Sequence, residues 1–538
     1  MVRPAGQLLY LWSRTDRKLH PYAVCATDNS REAKSLILDV SPGAINNLPQ
    51  AVKDTEDLAA IAARHGKSCV VARPTGCGPG SVYQNYGEVD LLEAIEAVCA
   101  NFTIARDRIT IMGVSMGGAA TWYMVSHYPD LFAGAVSVCG YCDYELWEKP
   151  GGLTFHMNLW EEPSWISRSA KFLVENLRHT PVWAIHGEWD RSVGGGVSVE
   201  HSRQMARLMA DKGFEHQYTE VPKAGHGRSS VSPQLQEEVV LWLLDRRKRR
   251  DPDHVSLATY GLRHNRSYWV TIEQLEHYGR RGMLDARFGR NSKLEIGTEG
   301  VRTFSVGPVP GRGMTAVTVD SQALGSFDLQ APRVFRRSIG GSWTDGAADL
   351  ASEKRHAVSG PIGDLFFESV ILVPGTSGTD EEGHFNTWVA NNAARYFRER
   401  NGGVHRGGIL GQNSIELRVA SDKELTEDEI AANNLVLYGT HASNAVLARF
   451  ESNLPLRFEG NNIYLGDKLF SAERAAVFAV FPHPLSSDRY AAVHGGVTSD
   501  AITWSSHLDM MLLPDYIAYS GGALLEWGFW GNDWRSQG

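Results

Sequence analysis

The sequence predicts an α/β fold: a mostly parallel sheet flanked by helices, then a small β-rich module, then a second, smaller α/β domain. Three observations carry this. Apolar runs of strand length alternate with helical stretches up to about residue 250, the pattern of a parallel sheet. Among them, Gly113-Val114-Ser115-Met116-Gly117 separates a buried strand at 108–112 from a helix at 118–125. A basic run at 246–250, closed by the helix-breaking Pro252, then marks a boundary where the periodicity changes. The expected domains are 1–250, with a cap-like insertion at about 141–180, then 254–345 and 360–538.

Taken in order, Ser35-Leu36-Ile37-Leu38-Asp39-Val40 reads as a buried strand and Ser41-Pro42-Gly43-Ala44 as its loop. At 113–117 the glycines permit a turn too tight for larger side chains, so the Ser115 hydroxyl projects alone at the end of the sheet. A serine nucleophile needs a base, and the base needs an orienting acid. Pro181-Val182-Trp183-Ala184-Ile185-His186-Gly187 is an apolar strand running into Glu188-Trp189-Asp190, and a strand at 216–222 runs into Gly225-His226-Gly227. Each candidate lies just past a strand's carboxyl end, where open α/β sheets bind ligands. Ser115 is the candidate nucleophile, His226 the general base and then acid, and Asp190 the orienting carboxylate. Glu188 is the alternative acid, leaving Asp190 to cap its loop. His186 reads as a structural group beneath the acid loop. The oxyanion needs two donors, for which the backbone N–H groups of Met116 and Ala44 are the candidates.

Residues from about 19 to 245 resemble the prolyl-oligopeptidase-like and dienelactone-hydrolase-like branch of the α/β-hydrolases, in a bacterial esterase form with an extra C-terminal region. The matching marks are Gly113-Val114-Ser115-Met116-Gly117-Gly118 with Thr121-Trp122, Tyr128-Pro129-Asp130-Leu131-Phe132-Ala133-Gly134, His186-Gly187-Glu188-Trp189-Asp190 and Gly225-His226-Gly227. Arg73-Pro74-Thr75-Gly76 and Tyr86-Gly87-Glu88-Val89-Asp90 add to them. Many relatives carry His-Gly where this chain has Pro42-Gly43. The resemblance implies a serine carboxylesterase acting through an acyl-serine, on aromatic or acetyl esters of carbohydrates. The alternative is a serine peptidase acting on short peptides. The hydrolase strands begin near residue 21 with no β-propeller ahead of them, which favours the esterase. Tyr141, Tyr144, Trp147, Phe155, Trp160 and Trp165 crowd the insertion, and Trp147, Trp160, Trp165 and Trp189 are candidates to line a substrate pocket.

A net charge of −9 argues against nucleic acid or an anionic membrane as the main partner. Nothing at the N-terminus reads as a signal peptide, so the chain as given is expected in the cytoplasm, or outside it if a leader has been removed. The six cysteines, all within the first 142 residues, fit neither metal spacing nor a disulfide scaffold. The histidines show no H-E-x-x-H and no Cys/His cluster. No metal and no cofactor are expected.

After the helix expected at 234–250, short alternating runs at 268–272, 284–288, 293–296 and 316–319 predict a β-sandwich-like module. From about 360 the pattern turns βαβ, with strands at 367–373, 415–419 and 435–439 and helices at 387–400 and 444–451. Thr426-Glu427-Asp428-Glu429 has capping-box spacing. Pro374-Gly375-Thr376-Ser377-Gly378-Thr379 and Gly439-Thr440-His441-Ala442-Ser443-Asn444 are glycine-rich turns without a Walker lysine or a dinucleotide fingerprint. The aromatic tail, Trp527, Phe529, Trp530 and Trp534, is expected to anchor in a core or a second subunit, so a homo-oligomer through the C-terminal region is one expected partner.

Overall fold

The computed structural model describes residues 4–537 apart from 29, 79–81, 149–157, 192–195, 290–292, 339, 347–351 and 401–414. The N-terminal sheet has eight strands: β1 (Gly6–Trp12), β2 (Leu19–Ala26), β3 (Lys34–Asp39), β4 (Cys69–Arg73), β5 (Ile104–Val114), β6 (Gly134–Val138), β7 (Val182–Gly187) and β8 (His216–Val221). Their order is β1-β2-β4-β3-β5-β6-β7-β8. The first two strands are antiparallel and the run from β4 to β8 is parallel. Strands β3, β4, β6 and β7 are buried at every residue, which is why they read as unbroken apolar runs. Helices α2 (Tyr86–Asn101) and α3 (Met116–His127) fill the core on one face. Helix α1 (Leu48–Arg64) and the helix Pro233–Leu244 fill it on the other. All of α3 is buried, as its run of small and apolar residues requires.

The β-rich module is two five-stranded sheets, closed over a core that includes Val255, Leu284, Val301, Phe304, Phe335 and Trp343. The C-terminal unit is a seven-stranded sheet in the order Arg418–Val419, Val370–Pro374, Asn434–Tyr438, Tyr490–Gly496, Ala475–Pro482, Tyr516–Ser520, Ala523–Gly528. Its first four strands are parallel and the rest antiparallel.

Three expected elements differ. The helix expected at 234–250 stops at Leu244, because the basic run ties back to the N-terminal unit. Arg246 covers the Trp242 ring, and Lys248 donates its backbone N–H to Asp107 O. The strand expected at 415–419 forms only at Arg418–Val419. The helix expected at 387–400 begins at Asp380. The capping box at Thr426 forms, with Glu429 N–H donating to the threonine hydroxyl at 3.3 Å and Thr426 N–H to the Glu429 carboxylate at 3.0 Å.

The units interlock through buried polar contacts. Asn176 exchanges two hydrogen bonds with the Ala258 backbone, and His264 meets Glu88 at 2.8 Å. Asn85 donates to Gly363 O and Arg168 to Met511 O. The aromatic tail anchors within its own chain, where Trp530 stacks on Phe481 and Tyr516.

Candidate active site

Ser115 ends β5 and caps α3 with φ +60° and ψ −118°, a conformation that β-carbon crowding disfavours for a non-glycine residue. The turn can close because its neighbours lack side chains. A Cβ on Gly113 would run into the Gly117 backbone, and one on Gly117 into the Val40 carbonyl. The strain aims the hydroxyl out of the sheet's carboxyl edge, where Ser115 Oγ lies 2.7 Å from His226 Nε2. His226 Nδ1 in turn lies 2.7 Å from Asp190 Oδ2. Three residues from three different strand ends thus form one hydrogen-bonded chain.

Asp190 is fully buried and accepts more than the His226 bond. Val197 N–H donates to its Oδ1 at 3.0 Å, and His186 Nε2 stands 3.1 Å from Oδ2. Burial alone would raise this carboxyl, but the bonds from His186 and His226 hold it well below the usual range. Burial pulls the His226 imidazole down, and the Asp190 carboxylate, aided by Cys139, overcomes this and pushes it up to about 9. His186 also meets Ser202 Oγ at 2.8 Å beneath the acid loop, the structural place expected for it. Glu188 is exposed and accepts from Lys223 N–H, away from the imidazole, so it does not take the acid's place.

The two candidate oxyanion donors lie on the elbow and on the loop after β3. Met116 is the first residue of α3. Ala44 opens a short 3₁₀ turn after Gly43 (φ +83°), in the loop that packs its Ser41 against Gly117. Arg73 holds this loop: its guanidinium donates to the carbonyls of Ser41 (3.3 Å) and Pro42 (3.1 Å) while pairing with Asp39 and Asp54. The sequence marks Arg73 only as part of the resemblance, and its role in holding the loop shows only once its partners between Asp39 and Asp54 are in place.

The four candidate substrate tryptophans scatter. Trp165 is buried beside Met116, Ala119, Tyr141 and Tyr144. Trp160 is instead drawn into the C-terminal core, and the cavity it lines with Arg168 and Arg263 does not include Ser115. Trp189 is 56% exposed on the acid loop. Trp147 lies in the short helix Tyr144–Glu148, and Phe155 falls outside the described residues. Sequence reasoning also missed Leu512, which joins Met116 and Trp165 in one buried cluster from the far end of the chain.

All six cysteines are free thiols. Among the described residues two groups bring metal-ligating atoms together: His20, Cys77 and Asp90, and Cys139, Asp190 and His226. In the first, both His20 nitrogens already bond carboxylates, those of Asp90 and Asp16. The second reuses the groups that hold Ser115. Among the described residues no helix is long and apolar enough to cross a membrane.

Residues 81–248 match the prolyl oligopeptidase family. An uncharacterized secreted protein of Arthroderma benhamiae is 33% identical over 178 residues, covering 29% of this chain and 18% of that one, so the chain spans under a fifth of this curated relative. Among solved structures, the fluorophosphonate-binding serine hydrolase FphF of Staphylococcus aureus aligns over 45% of this chain and 100% of its own, with 16% identity and a TM-score of 0.36. The acylaminoacyl peptidase of Pyrococcus horikoshii covers 46% of this chain and 43% of its own, at 16% and 0.38. A ferulic acid esterase covers 45% and 96%, at 13% and 0.34.

Proposed function

We propose that this serine hydrolase of the α/β-hydrolase fold cleaves carboxylic esters through an acyl-Ser115 intermediate, on aromatic or acetyl esters of carbohydrates. The observation that carries the reading is the Ser115–His226–Asp190 hydrogen-bonded chain, with the serine held in a strained turn.

In this reading Ser115 Oγ bonds to the carbonyl carbon as His226 Nε2 takes its proton. The N–H groups of Met116 and Ala44 hold the tetrahedral oxyanion. The C–O bond to the alcohol then breaks, and His226 returns the proton to the leaving alkoxide. Water repeats the sequence on the acyl-serine, giving up a proton to His226 and releasing the acid. Asp190 keeps the imidazole in register and stabilises its charged form.

An ester is favoured because an alkoxide needs less protonation to leave than an amine. The apolar cluster of Tyr144, Trp165 and Leu512 around Met116, the residue after the nucleophile, supports an aromatic or short acyl group. The peptidase reading draws on the family match over residues 81–248. Hydrolysis of p-nitrophenyl acetate and butyrate beside proline and alanine p-nitroanilides, in wild type and Ser115→Ala, separates them. Ester turnover lost in the variant with the anilides untouched supports the esterase. Anilide cleavage replaces it with the peptidase, and activity that survives Ser115→Ala overturns both.

A further inference from the structure

We propose a second ligand site at the carboxyl edge of the C-terminal sheet, one that binds a small neutral polyhydroxylated molecule such as a single sugar ring. It rests on nothing assumed about Ser115. The two glycine-rich turns noted in the sequence, at 374–379 and 439–444, follow the neighbouring parallel strands Val370–Pro374 and Asn434–Tyr438. From the first strand the chain passes through the helix Asp380–Arg400 to Arg418–Val419 on one side. From the second it passes towards Tyr490–Gly496 on the other. Where connections diverge from adjacent parallel strands, a crevice opens at their carboxyl ends, and open α/β sheets bind ligands there.

A cavity of about 180 Å³ opens beside it, over the 439–443 turn, the helix Asp380–Arg400 and the end of the strand Tyr490–Gly496. A water in the liquid takes up roughly 30 Å³, so there is room for several polar atoms. Glu382, Asn386, Thr440, Ser443, Phe458 and Thr498 line it. Asn386 and Ser443 are almost fully buried, and the Asn386 amide is fixed by donating to Gly375 O at 3.0 Å. Gly439, at φ +108°, keeps the floor open, since a Cβ there would stand 2.5 Å from Ser443 Oγ and 2.7 Å from Asn386 Nδ2.

The chemistry of the lining selects the ligand. An anion is disfavoured, because the donors a phosphate would use are already taken. Thr376 N–H and hydroxyl, Ser377 hydroxyl and Ala445 N–H all donate to the Asp422 carboxylate at 2.7 Å. No lysine or arginine lines the cavity, and Glu382 contributes a negative charge. Glu382 Oε2 already accepts from the Thr379 N–H and hydroxyl at 2.8 and 2.9 Å, which leaves its Oε1, the Asn386 amide oxygen, the Thr440 hydroxyl and the Phe458 ring. That set accepts the hydroxyls of a sugar and gives its C–H face an aromatic surface.

Saturation-transfer NMR and calorimetry on the full chain test this with xylose, arabinose, glucose and galactose, using inorganic phosphate and ethanolamine as counter-probes. The expected result is saturable binding of at least one sugar. Phe458→Ala and Glu382→Gln should each weaken it by about tenfold or more and leave p-nitrophenyl ester turnover unchanged. Should Phe458→Ala fail to fold by circular dichroism, Thr440→Val carries the same expectation. The proposal is overturned if no sugar binds, if phosphate or ethanolamine binds at this cavity instead, or if sugar binding ignores these substitutions. A sugar held only at the ester site would give that last result.

Discussion

The two parallel sheets of this chain both deliver tight turns to their carboxyl edges, but they fill the strained position differently. In the N-terminal sheet Ser115 stands at φ +60° with its hydroxyl against His226. In the C-terminal sheet the corresponding turn puts Gly439 at φ +108°, and Ser443 accepts the Thr440 N–H at 3.0 Å. The histidines differ in the same way. His494 is buried with Nε2 2.7 Å from both Tyr519 and Ser505 hydroxyls, and burial pushes it down to about 3. His226 is also partly buried, yet the Asp190 carboxylate carries it up to about 9. Burial alone makes a neutral structural imidazole, and a buried carboxylate partner turns it into a proton acceptor.

The contrast breaks most sharply at Ser115. Ser115→Ala should lower kcat on p-nitrophenyl acetate by about 10⁴- to 10⁶-fold without lowering the melting temperature. Asp190→Asn should cost about 10³- to 10⁴-fold and remove the carboxylate that raises His226. For wild type, kcat/KM should climb with pH as the free imidazole loses its proton, with the inflection displaced from 6.5 towards about 9. In the variant it should fall back towards the ordinary histidine value. The stability sign follows from the same raised value. The His226–Asp190 interaction is fully present below about 6.5 and lost as pH rises through about 9, so the gap in melting temperature between wild type and Asp190→Asn should narrow across that window.

Leu512→Ala should cost about 2–5 kcal/mol in denaturant unfolding and change the butyrate-to-acetate preference, since the lost side chain packs beside Met116. Arg73→Lys should lower kcat by about tenfold at unchanged KM, because one ammonium cannot hold both loop carbonyls and both aspartates. Thr426→Ala, at an exposed cap in the C-terminal unit, should cost about 1 kcal/mol with no change in turnover.

What the sequence showed and hid follows from how far each signal reaches. The elbow is legible because its glycines, strand and helix are contiguous, and Asp190 and His226 because each follows a strand of its own. The sandwich strands declared themselves by alternation. The sequence makes Trp160 a candidate for the substrate, but its place in the C-terminal core depends on residues some two hundred positions away or more. Leu512 carries no local mark of its neighbour Met116. The helix end at Leu244 was misplaced because helix propensity in the basic run gave way to tertiary contacts such as Lys248 N–H to Asp107 O.

The placement of Leu512 against Met116 also bears on biosynthesis. Leu512 is encoded 396 residues downstream of Met116, whose buried cluster it completes. At ordinary translation speeds of about 5–20 residues per second, Met116 emerges from the ribosome roughly 20–80 s before Leu512. Until then the buried cluster around Met116 lacks one of its members, so the packing beside the elbow is completed only once the last part of the chain has been made.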